Sequence, residues 1–178
     1  MDDVTLHPAG RGDPAELLDF EVENRSYFEA WLSPRPEGYY SLDAVRAALA
    51  DLDSAWEAGE SFCYLVRDAE GGLVGRVNLT GVDSGLGDAE IGYRIGERHT
   101  GRGHATAAIG LAVRDGFSVH GLRRIEALTM PSNIGSQLAL VRNGFSFEGR
   151  LRAVLPLAGT WHDGLLFGVL AGDLAEPG

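Results

Sequence analysis

The spacing of apolar residues along this chain changes several times, and each change marks an element. In PAELLDFEVENRSYFEAWL (14–32), Leu17, Leu18, Phe20, Val22, Tyr27, Phe28, Trp31 and Leu32 predict the buried face of one or two short helices, after a strand-like start at Val4 to His7. SPRPEGYYS then breaks the pattern. Ser41 and Asp43 open a second helix through Ala44, Val45, Ala48, Leu49, Leu52 and Trp56, closing at Gly59. Beyond it the rhythm becomes that of strands: Phe62–Val66, Leu73–Leu79 and Ala89–Ile95, separated by the turn signals DAEGG and DSGLGD. In the last of these, Ala89, Ile91, Tyr93 and Ile95 share one face, and Glu90, Gly92 and Arg94 the other.

A glycine-interrupted loop follows and runs straight into a helix of about four turns whose apolar stripe is Ala105, Ile109, Ala112, Val113 and Phe117. Arg124–Thr129 is a further strand, and PSNIGSQLALVRNGF reads as a helix ending at Gly144, since glycine is favoured just past a helix end. Phe145–Leu155 and Trp161–Leu170 predict a hairpin across LAGT. The order of elements is that of an α/β chain with one mixed sheet. At 178 residues, with neither repeat nor linker, it predicts one domain with its core at about 5–174.

Composition narrows the class. Hydrophobic residues at 44% and charged residues at 23% suit an ordinary globular chain, and no apolar run approaches the ~18 residues of a membrane span. The polar, acidic start and the single cysteine, Cys63, predict a cytoplasmic protein without a disulfide framework. The net charge of -11 is concentrated early: residues 1–60 hold 14 carboxylates against 4 arginines. Residues 94–124 reverse the sign, with Arg94, Arg98, Arg102, Arg114, Arg123 and Arg124 against Glu97 and Asp115. A pI near 4.8 argues against a nucleic-acid partner.

The candidate chemistry starts in the glycine loop. Gly96 to Gly103 has the glycine spacing of a Walker A loop, but Arg102 stands for its lysine and Gly103 for its metal-binding hydroxyl residue. Gly101-x-Gly103 lacks the third small residue of a dinucleotide loop, Thr106 standing there. What remains is R-x-x-G-x-G, Arg98 to Gly103, between a strand and a helix, where unpaired amides at the positive end of a helix dipole suit a phosphate.

This loop resembles the pyrophosphate loop of the GCN5-related N-acetyltransferases (GNAT). AEIGYRIGERHTGRGHATAAI, PSNIGSQLALVRNGFSFEGRLR and GTWHDGLLFGVL follow in order the pattern of the ribosomal-protein-alanine N-acetyltransferase (RimJ/RimL) branch, and ENRSYFEAWLSPRP is similar to its start. The resemblance implies the GNAT acyl-CoA N-acyltransferase fold, a mixed, mostly antiparallel sheet flanked by helices. Its central parallel strands, here Ala89–Ile95 and Arg124–Thr129, splay apart around the pantetheine arm of acetyl-CoA. It further implies contacts to that cosubstrate from Tyr93, Arg94 and Ile95, from Arg98, Gly101, Arg102, Gly103, His104 and Ala105, and from Asn133 and Ser136.

Amine acetylation needs a neutral amine, a polarised thioester and a proton for the departing sulfur. By the same resemblance Glu90 takes the amine proton through water; the other reading of Glu90 is a strand carboxylate paired with Arg94. Where many relatives place a tyrosine, seven residues after Asn133, stands Leu140, and Ser136 matches the serine of the RimJ/RimL branch as donor to the sulfur. Asn133 is also a helix cap. His162 and Asp163 read as a turn near the acceptor mouth, and Cys63 as a core residue. No metal-ligand spacing is present, so no metal cofactor is expected. Glu21, Glu23, Glu29, Asp51, Asp53 and Glu57 predict an acidic wall that draws in a cationic acceptor, a protein N terminus or a small amine such as an antibiotic or polyamine. A non-catalytic acyl-CoA-binding domain stays open beside these, as does a homodimer, and no membrane partner is expected.

Overall fold

A computed structural model describes residues 4–174. Its strands are β1 (Thr5–Pro8), β2 (Phe62–Arg67), β3 (Leu73–Asp83), β4 (Asp88–Ile95), β5 (Arg124–Thr129), β6 (Ser146–Leu157) and β7 (Thr160–Leu170). Its helices are α1 (Pro14–Glu23), α2 (Arg25–Glu29), α3 (Leu42–Glu57), α4 (His104–Ser118) and α5 (Ile134–Arg142). Local chemistry sets the helix starts. Asp13 accepts from the Ala15 amide at 2.8 Å with Pro14 opening α1, Ser41 accepts from the Ala44 amide at 3.3 Å before α3, and Asn133 accepts from the Ser136 amide at 3.1 Å before α5.

The strands form one seven-stranded sheet in the order β1-β2-β3-β4-β5-β7-β6. Every neighbouring pair is antiparallel except β4 and β5, which run parallel. The β6–β7 hairpin turns on Ala158 and Gly159, both at positive φ, which matches the twist of tight hairpins.

Alternation along the strands divides the core between the two faces. Val77, Leu79, Ile91, Ile125, Ala127 and Phe167 pack under Ile109, Ala112 and Val113 of α4 and Ala139 and Leu140 of α5. On the opposite face Cys63 and Leu65 lie under Leu17, Phe20, Phe28, Val45 and Leu49. Each such side chain contributes ~1.5–3 kcal/mol on burial, which ties both helical layers to the sheet. Among the described residues, no helix is long and apolar enough to cross a membrane.

The parallel pairing is short. β4 meets β5 at Asp88↔Arg124, Ala89↔Ile125 and Glu90↔Glu126 only, after which β4 continues to Ile95 against β3 and β5 continues to Thr129 against β7. The sheet therefore opens along its middle.

Candidate active site

The opening between β4 and β5 leads into a cleft of about 570 Å³, within the usual size of small-molecule sites. It is lined from one face of the sheet by Ala105, Ser136 and Ala139 of α4 and α5, and from the other by Tyr27, Phe28 and Trp31 of α2 and the turn that follows it. The cleft thus passes through the sheet, and reactants can meet from opposite sides.

Two backbone hydrogen bonds fix which groups of β4 face the gap. The Gly96 amide donates to the Val74 carbonyl at 2.9 Å, toward β3, whereas the Gly87 carbonyl accepts from Arg123 at 2.7 Å, toward β5. Because strand backbone groups alternate sides, the even-numbered residues of β4 face β3, and Ile91, Tyr93 and Ile95 turn their N–H and C=O groups into the gap. Past Glu90 these have no strand opposite them. Polar backbone left in such a position is satisfied by a ligand or by solvent.

At one end of the cleft stands the start of α4. Gly101 and Gly103 adopt positive φ of 73° and 88°, and Gly103 precedes the helix with no side-chain cap. The backbone amides of residues 101–106 find no acceptor among the described residues. Gly101, Gly103, His104 and Ala105 line the cleft, and His104 is buried with Nδ1 unpartnered. This donor set, a row of amides at a helix N terminus followed by open strand backbone, suits a diphosphate and the extended, amide-bearing arm attached to it. Arg98 and Arg102 lie outside the lining; Arg98 is exposed and its Nη1 is 2.6 Å from Glu23. Arg142, at the end of α5, does line it. Its place in a last helical turn gave the sequence reading no reason to single it out.

Across the gap, Ser136 Oγ lies 2.6 Å from Tyr93 Oη. Burial pushes the Tyr93 phenol up to about 12, so it keeps its proton at neutral pH. The Tyr93 hydroxyl beside Ser136 is a contact the sequence does not point to, since Tyr93 and Ser136 are 43 residues apart. Leu140, where the tyrosine of many relatives would stand, is fully buried in the core.

Glu90 lines the cleft on the face opposite Tyr93, and it is the one carboxylate among the described lining residues. Partial desolvation of this exposed side chain, with Glu126 paired beside it, raises its pKa above the usual carboxylate value. Glu126 is held by Arg124 Nη2 at 3.0 Å, and Arg124 also binds Glu148 at 2.6 Å.

Two sequence expectations are corrected at this face. Arg94 does not pair with Glu90: Arg94 Nη1 donates to Glu21 Oε2 at 3.1 Å, because α1 brings a buried carboxylate over the end of β4. The acidic wall does not line the cleft either. Glu21 is buried with Arg76, Arg94 and Arg35 around it, Glu23 is turned to Arg98 and Glu29 to Arg25, while Asp51, Asp53 and Glu57 sit on α3 away from the lining.

The remaining candidates have structural partners. Asp163 accepts from the Ala153 amide at 2.9 Å and from Arg150 Nε at 2.8 Å, pinning an irregular stretch of β6 where the register shifts. Cys63 is buried and accepts from Arg76 Nη2 at 3.3 Å. Among the described residues, no group of three or more His, Cys, Asp or Glu side chains is placed to hold a metal ion.

Residues 3–146 match the family model described as the acetyltransferase (GNAT) domain. A probable N-acetyltransferase of Bacillus subtilis (strain 168), YjcK, is 32% identical over 172 residues, covering 96% of this chain and 95% of that protein. The ribosomal protein uS5-alanine N-acetyltransferase of Escherichia coli (strain K12) is 29% identical over 163 residues, covering 90% of this chain and 84% of that one. The solved structure of Mycobacterium smegmatis RimJ in complex with CoA-disulfide has a TM-score of 0.89 at 28% identity, over 97% of this chain and 84% of that chain.

Proposed function

This chain belongs to the GNAT acetyltransferase family and is an acetyl-CoA-dependent N-acetyltransferase, and from that premise we propose that its acceptor is the α-amine at the N terminus of a cytoplasmic protein. One observation carries the reading. The cleft crosses the sheet, with Glu90 on the face walled by Tyr27, Trp31 and Leu32 and the Tyr93–Ser136 pair on the other. An open apolar trough of that kind has room for an extended chain behind its amine, and the similar Escherichia coli enzyme is named for acting on the alanine of a ribosomal protein.

Acetyl-CoA supplies an activated acyl group at the gap. The amides of residues 101–106 and the α4 dipole hold its diphosphate, with Tyr93 and Ile95 contributing gap-facing backbone to the arm and Asn133 shaping the entry to α5, while the backbone of Arg94 is turned to β3. Glu90, whose raised pKa makes it the better base, removes the amine proton through a water molecule. A gap-facing amide, of Tyr93 or Ile95, donates to the oxygen on which charge develops, a contribution of ~3–4 kcal/mol in comparable sites. Ser136 Oγ–H delivers a proton to the departing sulfur as Tyr93 Oη–H replaces it, and the phenol takes its proton back from solvent through the open cleft before the next turnover.

Intact-mass screening with acetyl-CoA tests this. Peptides beginning with alanine or serine are expected to gain one acetyl group, and the same peptides blocked by formylation none. Acetylation confined to polyamines or other small amines would overturn the proposed acceptor.

A further inference from the structure

The corrected position of Glu21 leaves a charge imbalance beside the acceptor half of the cleft. Glu21 Oε1 is 3.0 Å from Arg76 Nη1, its Oε2 is 3.1 Å from Arg94 Nη1 and 3.6 Å from Arg35 Nε. One carboxylate therefore serves three guanidiniums, and Glu21, Arg76 and much of Arg94 are out of solvent. Glu29 of α2 and Glu37 are both paired with Arg25 and not with this cluster. Arg35 Nε is buried with no hydrogen-bond partner among the described residues, its guanidinium stacked 4.3 Å over the Tyr39 ring. Burial, together with Arg35 and Arg76, brings Arg94 down to about 10 against the pull of Glu21, so the locus is short of negative charge.

Arg94 faces the cleft. It lies 5.1 Å over the Phe28 ring, and its one side-chain hydrogen bond among the described residues leaves the rest of the guanidinium fork free. Arg94 and Glu90 share a face of β4 with only Gly92 between them on that strand, where the Asn78 side chain of β3 lies beside the missing Cβ, so no β4 side chain stands between base and cation. At ~3.3 Å per residue their Cα atoms are about 13 Å apart, the length of a few extended acceptor residues.

We propose that Arg94, backed by Arg35 and Arg76, binds a carboxylate on the acceptor, so that the enzyme prefers N termini with Asp or Glu at the second to fourth position. The inference rests on the N-terminal acceptor reading and deepens it. A cation placed at Arg94 would add to three guanidiniums, whereas a carboxylate meets a half-desolvated fork already oriented by Glu21.

The test pairs isosteric peptide amides, alanine followed by Asp or by Asn at positions two to four, with a third arm of short peptides bearing only a free C-terminal carboxylate. Two readouts are taken: KM in turnover with acetyl-CoA, and calorimetric affinity for the protein loaded with CoA. The Asp peptides are expected to bind tighter than the Asn peptides by about tenfold or more, a gap that shrinks as salt rises. Arg94→Gln should collapse the gap, and Arg35→Gln narrow it, in proteins whose melting shows them folded. Selectivity only for the free C terminus would reassign the carboxylate to a small acceptor while keeping the site. Equal affinity for Asp and Asn peptides in the wild type overturns the inference. Because binding is read without turnover, absence of acetylation on any peptide would strike the acceptor reading alone.

Discussion

The hydroxyl pair of Tyr93 and Ser136 and the carboxylate of Glu90 stand on opposite faces of β4, so the proposed mechanism delivers and removes protons on different sides of the sheet. That separation predicts distinct signatures. Glu90 is ionised only above a pKa raised from the usual carboxylate value, so kcat/KM should climb with pH through that displaced value. Glu90→Gln should lower the rate ~10²-fold or more and erase this limb in a pH–rate profile. Ser136→Ala and Tyr93→Phe should lower kcat, Tyr93→Phe by roughly tenfold as one hydrogen bond is lost, while KM for acetyl-CoA holds and the limb persists. A Tyr93→Phe enzyme with unchanged kcat would remove the phenol from the proton path. At this scale the sequence was informative where chemistry is local: Asn133 capping α5, or Ser136 three residues on, follows from neighbours along the chain. It was silent where partners come from afar. Glu21 and Arg94 are 73 residues apart and meet only after α1 packs on the sheet, so along the chain only Glu90, on the same face of β4, offered itself as a carboxylate partner for Arg94.

Elements were more legible than contacts. The periodicity located β2, β4, β5, β7 and the main helices to within a residue or two, since burial on one face imposes the period. The short α2 falls within the one or two helices expected over 14–32, whereas the irregularity in β6 escaped, because Asp163 holding Ala153 is a cross-strand event with no period. The junction of β4 and α4 is where an element becomes a site. Gly103 sits at φ 88°, a conformation that costs an L side chain ~1–2 kcal/mol, and it lies directly ahead of the uncapped α4 amides to which the proposed function assigns the diphosphate. Gly103→Val should therefore lower stability modestly and reduce CoA affinity far more. Gly121→Val is the control: φ there is 69° with open space around the added Cβ, and the loop lies outside the cleft lining. Calorimetric titration should show Gly121→Val binding CoA as the wild type does and Gly103→Val barely at all. An equal loss of affinity in the two variants would mean that backbone strain, not phosphate contact, explains it, and wild-type affinity in both would contradict the loop assignment.

The molecule as a whole is two half-sheets, β1 to β4 and β5-β7-β6, joined through three parallel residue pairs and the helices that overlie them. Beyond Glu90 the edges of β4 and β5 face each other without bonding, so part of the backbone that a closed sheet would satisfy internally waits for a ligand. A ligand that bonds to both edges stabilises the folded state by its binding free energy, ~2.7 kcal/mol at a hundredfold excess over Kd. For a chain of this length that corresponds to roughly 5–10 °C in melting temperature. CoA should therefore raise the midpoint by that order, the shift growing with the logarithm of CoA concentration. Hydrogen exchange should slow at the amides of Tyr93 and Ile95 and at residues 101–106, and stay unchanged at the β6–β7 turn. Dephospho-CoA, which keeps the diphosphate and the arm, should protect the same amides, whereas pantetheine should protect the strand edge and leave the α4 start exchanging. If pantetheine protected residues 101–106 as fully as CoA does, those amides would be ordered by closure of the seam and not by phosphate, and the orientation of the cosubstrate along the cleft would have to be reversed.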